Sequence, residues 1–384
     1  MKTVLIFVPN YFPGYMSGGI ARTVLNTVEW LGDEISFLIV TRDRDLGDEA
    51  PYPNIKRGVW VQMNQSKVRY LTPDELSLSN LATLIRDTPH DILHLNSFFD
   101  PVFTIKLLLL TRLKRIHPRP VILSPRGEFV EGPLKHAKFK YPKKRLYIEL
   151  SKLAGFYRDL RWHASSPHEA EGIAKAMRMS SDRVRSAIDL PIKGGAVVLD
   201  HQSSRDRLGV VFLSRLTREK NLDGALRILQ TVRQPMDFDI IGPEEDPVYW
   251  QECTALIKKL PPHVCARYLG SVSPEQVFHH LSQYDVFLFP THGENYGHVI
   301  AESISVGTRV LISRATPWRN LEQDGVGWDI DLTQVDKFAA VLDQLANQTP
   351  SERGAARPRV RAAAAVRLFD PVALENNRLL YSNP

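Results

Sequence analysis

The chain has 384 residues with 43% hydrophobic content, two cysteines and a formal net charge of +6. Length and composition indicate two globular domains, and the two cysteines, Cys253 and Cys265, exclude a disulfide framework. A membrane-spanning protein is excluded as well, because the longest apolar run, Val102 to Leu113, is short and is interrupted by Lys106.

Strand and helix patterns alternate along the chain, which is typical of parallel sheets joined by right-handed crossovers. The expected strands of the first half are Thr3–Val8, Ile35–Thr41, Val59–Gln62, Asp91–Leu95, Val121–Ser124 and Arg161–Ala164. Those of the second half are Val210–Leu213, Asp237–Ile241, Ala266–Gly270, Val286–Phe289 and Arg309–Ser313. A linker is expected at about Ser203 to Leu208. We therefore expect an α/β fold with Rossmann-like domains at 1–202 and 203–369 and a final helix in 370–384.

The first strand is followed by a loop and by Gly18-Gly19, which open a helix expected over Ile20 to Leu31. Glycines let the backbone approach a bound phosphate, and a helix N-terminus adds partial positive charge. The spacing differs from the G-x-G-x-x-G fingerprint of dinucleotide-binding proteins, and a simple turn is an equally open interpretation. The chain start is better explained as a strand than as a signal peptide, so we expect a cytoplasmic protein.

Two further strands of the first half end in polar residues. One closes with His94-Leu95-Asn96-Ser97, in which His94 and Asn96 share a face by strand alternation. The next closes with Ser124-Pro125-Arg126-Gly127-Glu128. Arg126 is expected to contact an anion, and the alternative is a surface ion pair.

Basic residues concentrate between Lys135 and Arg161, where nine lysines and arginines face two acidic residues. Interleaved apolar side chains make this a basic amphipathic stretch, which favours an anionic membrane surface or another polyanion as partner. A solvated helix with a buried apolar face is the alternative. Nucleic acid is the weaker explanation, because no recognisable binding module accompanies the charge.

A basic pair follows the strand that begins at Val210, in the segment Ser-Arg-Leu-Thr-Arg-Glu-Lys-Asn-Leu from Ser214 to Leu222. Open α/β sheets bind their ligands at the carboxyl ends of the strands. Arg215 can hold phosphate oxygens bidentately, and Lys220 adds a compact positive charge. The pair therefore predicts a diphosphate site, with an ordinary basic loop as the alternative.

Two glutamates, Glu294 and Glu302, lie eight positions apart in the segment PTHGENYGHVIAE, which follows a buried strand. Gly293 and Gly297 supply a tight turn, and helical spacing begins at Val299. Glu294 is thus placed at a helix N-terminus and Glu302 about one turn inside the helix. Two carboxylates beside such a terminus suit a hydroxyl-rich ligand such as a sugar and a ribose. A solvated glutamate and a surface ion pair are the alternative.

These two segments resemble the S-R-L-x-x-x-K and E-x7-E motifs of the retaining glycosyltransferases of family 4, which have the GT-B fold. The resemblance is strongest from Val210 to Leu332. It implies that Arg215 and Lys220 bind the diphosphate of a nucleotide sugar, whereas Glu294 binds the donor sugar and Glu302 the ribose. The other donor-binding positions that it implies are Gly18, Gly19, Arg126, Gly242, Ser271, Val272, Asn295, Tyr296, Gly297, His298 and Val299.

Asn96 departs from the family pattern, because many members have a histidine there that contacts the 6-hydroxyl of the donor sugar. Asn96 is thus a catalytic candidate in addition to Arg215, Lys220 and Glu294. The identity of the donor sugar is left open. The Ser-Pro-Arg-Gly segment around Arg126 resembles bacterial surface-polysaccharide transferases. The first domain is therefore expected to hold a glycan or polyprenyl-linked acceptor, and the protein to lie on the inner face of the membrane as a peripheral protein.

The resemblance implies front-face displacement, in which the leaving diphosphate takes the acceptor proton. No metal and no other cofactor is expected, since cationic side chains neutralise the diphosphate. Three Asp-x-Asp triplets occur at 43–45, 237–239 and 329–331. Such triplets arise readily by chance and are not expected to bind metal.

Two other functions stay open on this fold. A nucleotide-sugar epimerase would convert the donor without any acceptor and would need a paired acid and base. A non-catalytic donor-binding subunit would show loss of the motif residues, whereas Arg215, Lys220, Glu294 and Glu302 are all present.

Overall fold

A computed structural model describes residues 1–14, 18–129, 141–194 and 206–382. The chain divides into two compact units. The first unit combines Met1–Lys193 with Asp370–Pro384, and the second is Gly194–Phe369. The domain boundary expected at 202/203 and the start of the expected linker lie outside the described residues.

The first unit is built on an eight-stranded sheet with the order β3-β4-β2-β1-β5-β6-β7-β8. Its strands are β1 Lys2–Phe7, β2 Ile35–Arg42, β3 Trp60–Met63, β4 Ser66–Leu71, β5 Ile92–Asn96, β6 Val121–Ser124, β7 Leu160–Ala164 and β8 Val184–Ser186. Both faces of this sheet are covered, because Leu5 and Phe7 belong to one hydrophobic cluster and Val4 and Ile6 to another. A strand buried on both faces reads as a continuous apolar run, which is why β1 was visible in the sequence.

One edge of this sheet departs from the parallel arrangement. Strand β3 pairs antiparallel with β4, Trp60 opposite Arg69. The two strands are joined by only two residues, and the first of them, Asn64, has a φ of 48°. Asparagine tolerates this left-handed conformation, which a tight reversal requires.

Helices and short helical turns complete the first unit. The α-helices are α1 Gly19–Leu31, α2 Leu78–Asp87, α3 Leu107–Arg112, α4 Tyr141–Leu153, α5 Pro167–Met177 and, after the second unit, α12 Pro371–Tyr381. A π-helical turn covers Pro101–Lys106, and 3₁₀ turns cover Pro73–Leu76 and Ser181–Arg183.

Helix α12 packs on the first unit although it follows the second unit in sequence. The ring of Tyr381 lies 5.6 Å from that of Phe37 in an edge-to-face arrangement. Arg378 Nε lies 2.7 Å from a carboxylate oxygen of Glu34. Aromatic burial fixes this helix, and the exposed ion pair adds little to it.

The second unit contains a six-stranded parallel sheet with the order β11-β10-β9-β12-β13-β14. Its strands are β9 Leu208–Leu213, β10 Met236–Ile241, β11 Val264–Tyr268, β12 Val286–Phe289, β13 Arg309–Ser313 and β14 Gly327–Ile330. The helices are α6 Leu222–Leu229, α7 Pro247–Ile257, α8 Val277–Ser282, α9 His298–Ser305, α10 Val335–Ala346 and α11 Pro350–Leu368. Chain order reverses between β9 and β12, so the crevice at their carboxyl ends is where such a sheet binds ligands.

Within the described part of the chain, none of the helices combines the length and the apolar character needed to cross a membrane.

Candidate functional site

The loops after β9 and β12 bring Lys220 and Glu294 together at the switch point of the second sheet. Lys220 Nζ lies 2.6 Å from Glu294 Oε1, and the two side chains are only 10% and 15% exposed. A second carboxylate, that of Glu219, lies 3.5 Å from the same ammonium group. Two motifs separated by more than 70 positions in sequence therefore meet in one partly buried ion pair.

Asn221 holds this arrangement in place. Its side-chain oxygen accepts a hydrogen bond from the backbone N–H of Gly224 and so caps α6. Its amide group donates to the carbonyl oxygen of Pro290 at the end of β12, over 2.6 Å. The residue adopts a φ of 62°, which asparagine tolerates better than most residues do. A polar residue just before a helix is a cap signal that can be read from sequence, although Asn221 was not among the expected site residues.

The second glutamate motif surrounds the N-terminus of α9. Gly297 caps this helix with a φ of 84°, and a Cβ atom there would lie 2.8 Å from Ile300 Cδ1. The indole N–H of Trp318 donates to the carbonyl oxygen of Tyr296 over 2.6 Å. Glu302 lies inside α9 and is only 8% exposed. Helix α9 begins at His298, one residue earlier than expected.

Arg215 lies at the carboxyl end of β9, where it pairs with a glutamate that was not among the expected site residues. Arg215 Nη1 lies 2.9 and 3.0 Å from the two carboxylate oxygens of Glu245. The backbones beneath the pair approach closely, because a Cβ atom on Gly242 would lie 1.8 Å from the carbonyl oxygen of Ser214. Only glycine fits there, which gives Gly242 a structural role in addition to the donor contact expected of it.

The remaining expected donor-binding residues of the second unit flank these loops. Ser271 follows β11 and is exposed, whereas Val272 packs against the hydrophobic core. The rings of Tyr296 and His298 lie 4.8 Å apart. The half-buried positions in the turn and first helical residues are Asn295, Tyr296, His298 and Val299.

In the first unit, Asn96 and Arg126 form a buried polar cluster at the carboxyl ends of β5 and β6. Asn96 is 0% exposed; its amide donates to the carbonyl oxygen of Phe7 and its oxygen accepts from Arg126 Nε over 2.9 Å. Arg126 Nη1 lies 2.8 Å from Asp189, and the Arg126 side chain is 5% exposed. Burial raises the pKa of Asp189, which also accepts a hydrogen bond from Thr23. Arg126 is therefore in a buried ion pair rather than a surface one.

A second buried network links His94, Ser124 and His163. The Ser124 hydroxyl lies 2.7 Å from His94 Nε2 and 2.7 Å from His163 Nδ1. His163 Nε2 faces the carbonyl oxygen of Ala187 and His94 Nδ1 faces the hydroxyl of Tyr381. Because a carbonyl only accepts, His163 carries its hydrogen on Nε2, and each remaining bond is satisfied with both rings neutral. Burial lowers the pKa of both histidines, that of His163 to about 3.

Glu128 ties the same strand ends together and was not among the expected site residues. Its carboxylate accepts hydrogen bonds from the hydroxyl of Ser97 and from the backbone N–H of Phe98. Burial raises its pKa to about 6, although these hydrogen bonds favour the ionised form. Ser97 and Arg126 both have positive φ values, 76° and 58°, so Glu128 joins two loops with unusual backbone conformations.

The expected glycine loop is described from residue 18 onward. Gly18 precedes α1 with a φ of 67°, and the helix begins at Gly19, one residue earlier than expected. The hydroxyl group of Thr23 in α1 lies 3.0 Å from both the carbonyl oxygen of Gly19 and the carboxylate of Asp189, and its single hydrogen is shared between them. The helix N-terminus is thereby anchored to the buried cluster around Arg126.

The Asp-x-Asp triplets contribute to structural ion pairs. Asp43 pairs with Arg44 over 2.9 Å, Asp239 with Arg267 over 2.8 Å and Asp329 with Arg314 over 3.5 Å. Within the described ranges, no group of three or more histidine, cysteine, aspartate or glutamate side chains is placed to hold a metal ion.

The described part of the basic stretch contains α4, whereas Lys135, Lys138 and Lys140 lie outside the described residues. Three leucines at helical spacing, Leu146, Leu150 and Leu153, are 60%, 56% and 82% exposed. Tyr147 and Ile148 on the other face pack against the core. The helix therefore has a buried apolar face and, in addition, an exposed one.

A known protein family resembles most of the second unit. Residues 200–361 match the family of glycosyl transferases group 1. The match contains Arg215, Lys220, Glu245, Glu294 and Glu302, so both motifs described above lie within it. A comparison with curated protein sequences gave no match.

Solved structures resemble the whole chain. HepE of Anabaena, solved in complex with UDP-glucose, has a TM-score of 0.67 and 15% identity, with 100% of each chain covered. WaaG, a glycosyltransferase involved in lipopolysaccharide biosynthesis, has a TM-score of 0.66 and 12% identity over 99% of this chain and 100% of its own. Sucrose-phosphate synthase from Thermosynechococcus elongatus has a TM-score of 0.64 and 15% identity over 100% of each chain. These likenesses confirm the expected α/β fold of GT-B type, with two Rossmann-like domains.

Proposed function

We propose that this protein is a retaining glycosyltransferase that moves a hexosyl group from a nucleotide sugar to a glycan or lipid-linked acceptor. The observation that carries the proposal is the contact of Lys220 with Glu294 at the switch point of the second sheet, with Arg215 on the same strand end. The match of residues 200–361 supports it. HepE binds UDP-glucose and WaaG serves lipopolysaccharide biosynthesis, which favours a sugar nucleotide and a surface polysaccharide or glycoconjugate here.

In the proposed reaction the bond between the sugar C1 and the diphosphate oxygen breaks, and a bond from C1 to the acceptor oxygen forms on the same face. The acceptor proton passes to the departing diphosphate. Arg215 and Lys220 neutralise the charge that develops on that leaving group, which is the kind of electrostatic contribution that usually dominates catalysis. Glu294 orients the sugar hydroxyls and Glu302 binds the ribose. No metal takes part in this proposal.

The proposed roles of the first unit concern the acceptor and the sugar. Arg126 Nε contacts Asn96 and Arg126 Nη1 contacts Asp189, so we assign Arg126 to holding the ends of β5 and β6 in place. We assign any contact with an anion to its third guanidinium nitrogen, Nη2. Asn96 has no exposed surface, so in this proposal it acts on binding of the donor sugar indirectly, by positioning Arg126. Gly18 and Gly19 leave the start of α1 open to a phosphate.

The test is a panel of UDP-, GDP- and ADP-sugars with polyprenyl-linked and free oligosaccharide acceptors. We expect one donor to raise the melting temperature and to release its nucleotide diphosphate only when an acceptor is present. Proton NMR of the product should show the anomeric configuration of the donor. Inversion would contradict the retaining mechanism, and conversion of the donor sugar without an acceptor would favour an epimerase. The absence of binding by every nucleotide would contradict the proposed function itself.

A peripheral position on an anionic membrane surface is part of the proposal. The exposed leucines of α4 could enter the interface while Lys143 and Arg145, which are exposed on the same helix, meet lipid phosphates. Helix α3 adds charge beside this surface, because Arg112 Nε donates to the carbonyl oxygen of Ala154 over 3.2 Å.

The protein should therefore sediment with phosphatidylglycerol vesicles at low salt and be released at high salt, since screening acts within about 10 Å at 0.1 M. Joint replacement Lys143→Glu with Arg145→Glu should abolish this binding. The matched control is Lys258→Glu with Lys259→Glu, an exposed basic pair on the second unit. Equal sedimentation with neutral vesicles would contradict the role of the basic residues, and no sedimentation with either kind of vesicle would favour a solvated helix.

A further inference from the structure

The guanidinium of Arg215 is already paired with a carboxylate. Its Nη1 lies 2.9 and 3.0 Å from the two oxygens of Glu245, and the side chains are 34% and 22% exposed. This pair joins the carboxyl ends of the neighbouring strands β9 and β10. Arg215 is the residue to which the proposed function gives the donor diphosphate, so Glu245 occupies a position that the diphosphate needs.

The backbone beneath the pair makes this contact a fixed feature. The N–H of Ser214 donates to the carbonyl oxygen of Ile241 over 3.0 Å, and the N–H of Leu216 donates to that of Pro243 over 2.9 Å. These two bonds bracket Arg215 and bring the segment after β10 alongside it. At Gly242 this segment packs directly against Ser214, since even a Cβ atom would lie 1.8 Å from the Ser214 carbonyl oxygen. Glu245 is therefore held within reach of Arg215, with only its side chain free to turn away.

The charges around the two cations favour the same conclusion. Arg215 and Lys220 carry two positive charges, whereas their contacts Glu245, Glu294 and Glu219 carry three negative ones, which leaves a net charge of −1. A nucleoside diphosphate brings at least two more negative charges. Such a ligand is attracted to the two cations only if one of these carboxylates moves aside. Of the two glutamates in closest contact with a cation, Glu245 is the more exposed, at 22% against 15% for Glu294.

We propose that Glu245 acts as a place-holder for the donor diphosphate on Arg215 and thereby lowers the affinity of the site for nucleotide diphosphates. This inference rests on the proposed function. Donor binding exchanges the Glu245 carboxylate for phosphate oxygens, and the return of the carboxylate helps the product nucleotide to leave. Glu245 touches Arg215 rather than the reacting atoms, so it is a positioning residue that sets affinity.

The experiment compares wild-type protein with Glu245→Gln by calorimetric titration of inorganic pyrophosphate, UDP and uridine. Pyrophosphate is used because its binding does not depend on which base the donor carries. The variant should bind pyrophosphate and UDP about two- to fivefold more tightly, the range expected for release of one partly exposed ion pair. The gain should shrink at 0.5 M NaCl, where charges are screened. Uridine, which has no phosphate, should bind equally to both proteins.

Glu245→Ala serves as a second variant, since a glutamine amide still offers an oxygen to Arg215. The matched control is Glu252→Gln, which removes a carboxylate that pairs with Arg218 over 2.6 Å and leaves Arg215 untouched. Unchanged or weaker pyrophosphate binding in both Glu245 variants would overturn the inference while leaving the proposed function in place. A wild-type protein that bound neither pyrophosphate nor any nucleotide diphosphate would overturn both.

Discussion

The side-chain amide of Asn221 donates a hydrogen bond to the carbonyl oxygen of Pro290 over 2.6 Å. This bond joins the loop that carries Lys220 to the strand end that leads to Glu294. The same side chain caps α6 through Gly224. One residue thus fixes both the start of a helix and the distance between the two motifs, so its removal should affect stability and donor binding by different amounts.

We expect Asn221→Ala to lower the free energy of unfolding by about 0.5–2 kcal/mol, the usual cost of losing a helix cap. Binding of UDP by the folded protein should weaken as well, because the loop that carries Lys220 loses its hydrogen bond to Pro290. Urea unfolding and calorimetry measure the two effects. Asn320→Ala is the control, since Asn320 shares the positive φ, 59°, and lies outside both loops. An unaltered UDP affinity in Asn221→Ala would contradict the anchoring role.

Arg215→Ala and Lys220→Ala should each lower kcat/KM by roughly 10²–10³, the effect of removing one donor that stabilises a developing negative charge. The far-ultraviolet circular dichroism should stay unchanged. Arg218→Ala is the matched control, because Arg218 is in the same loop but is 51% exposed and pairs with Glu252. Near-wild-type activity in both test variants would exclude the diphosphate assignment.

The two glutamates of the second motif should differ in what they bind. Glu294→Gln should lower kcat more than it weakens binding of the free nucleotide diphosphate, because the nucleotide alone lacks the sugar. Glu302→Gln should raise the Kd of the nucleotide roughly tenfold to a hundredfold, since a hydrogen bond to a charged carboxylate contributes about 1.5–3 kcal/mol. Calorimetric titration of the nucleotide diphosphate into both variants measures this difference. Equal weakening of nucleotide binding would show that the pair is placed wrongly.

The buried His163 predicts a specific dependence of stability on pH. Its pKa is lowered by burial to about 3, whereas an exposed histidine has about 6.5. Between these values the unfolded chain binds a proton that the folded chain does not, so this contribution to stability falls as the pH drops below about 6.5.

The stability difference between wild type and His163→Gln should therefore shrink by about 2 kcal/mol between pH 6.5 and 5, because glutamine does not titrate. Urea unfolding at several pH values measures it. His168→Gln, at an exposed histidine five positions later, should keep the wild-type pH dependence. A constant difference between wild type and His163→Gln would mean that His163 has the same pKa in the folded and the unfolded protein.

The sequence predicted the strands whose burial on both faces leaves an apolar run, such as β1, β9 and β12. It did not predict β4, Ser66–Leu71, which contains Lys67 and Arg69 and so lacks a continuous apolar run, although it pairs with β3 and β2. It also missed β8 and β14, which are short and, unlike β12, are not apolar throughout. Short strands depend on neighbours that are remote in sequence, so local pattern is a weak guide to them.

The residues of the candidate site also fall into those that the sequence predicted and those that it did not. Arg215, Lys220, Glu294 and Glu302 were readable because their motifs have fixed local spacing. Glu245 was not, because its contact with Arg215 spans 30 positions and nothing local distinguishes it from its neighbour Glu244. Asp189 could not be predicted either, since only the folded chain shows that it pairs with Arg126.

The contact of Tyr381 with His94 has a consequence for the order of folding during synthesis. His94 is made with the first half of the chain, but the hydroxyl group that it contacts is made only after the whole of Gly194–Phe369. Domains generally fold as units in the order in which they are synthesised. Here the second unit is one continuous segment and can fold from its own residues. The first unit is incomplete until α12 has been synthesised, and until then Phe37 and His94 lack their contacts with Tyr381. The segment translated first is therefore the one whose core is completed last.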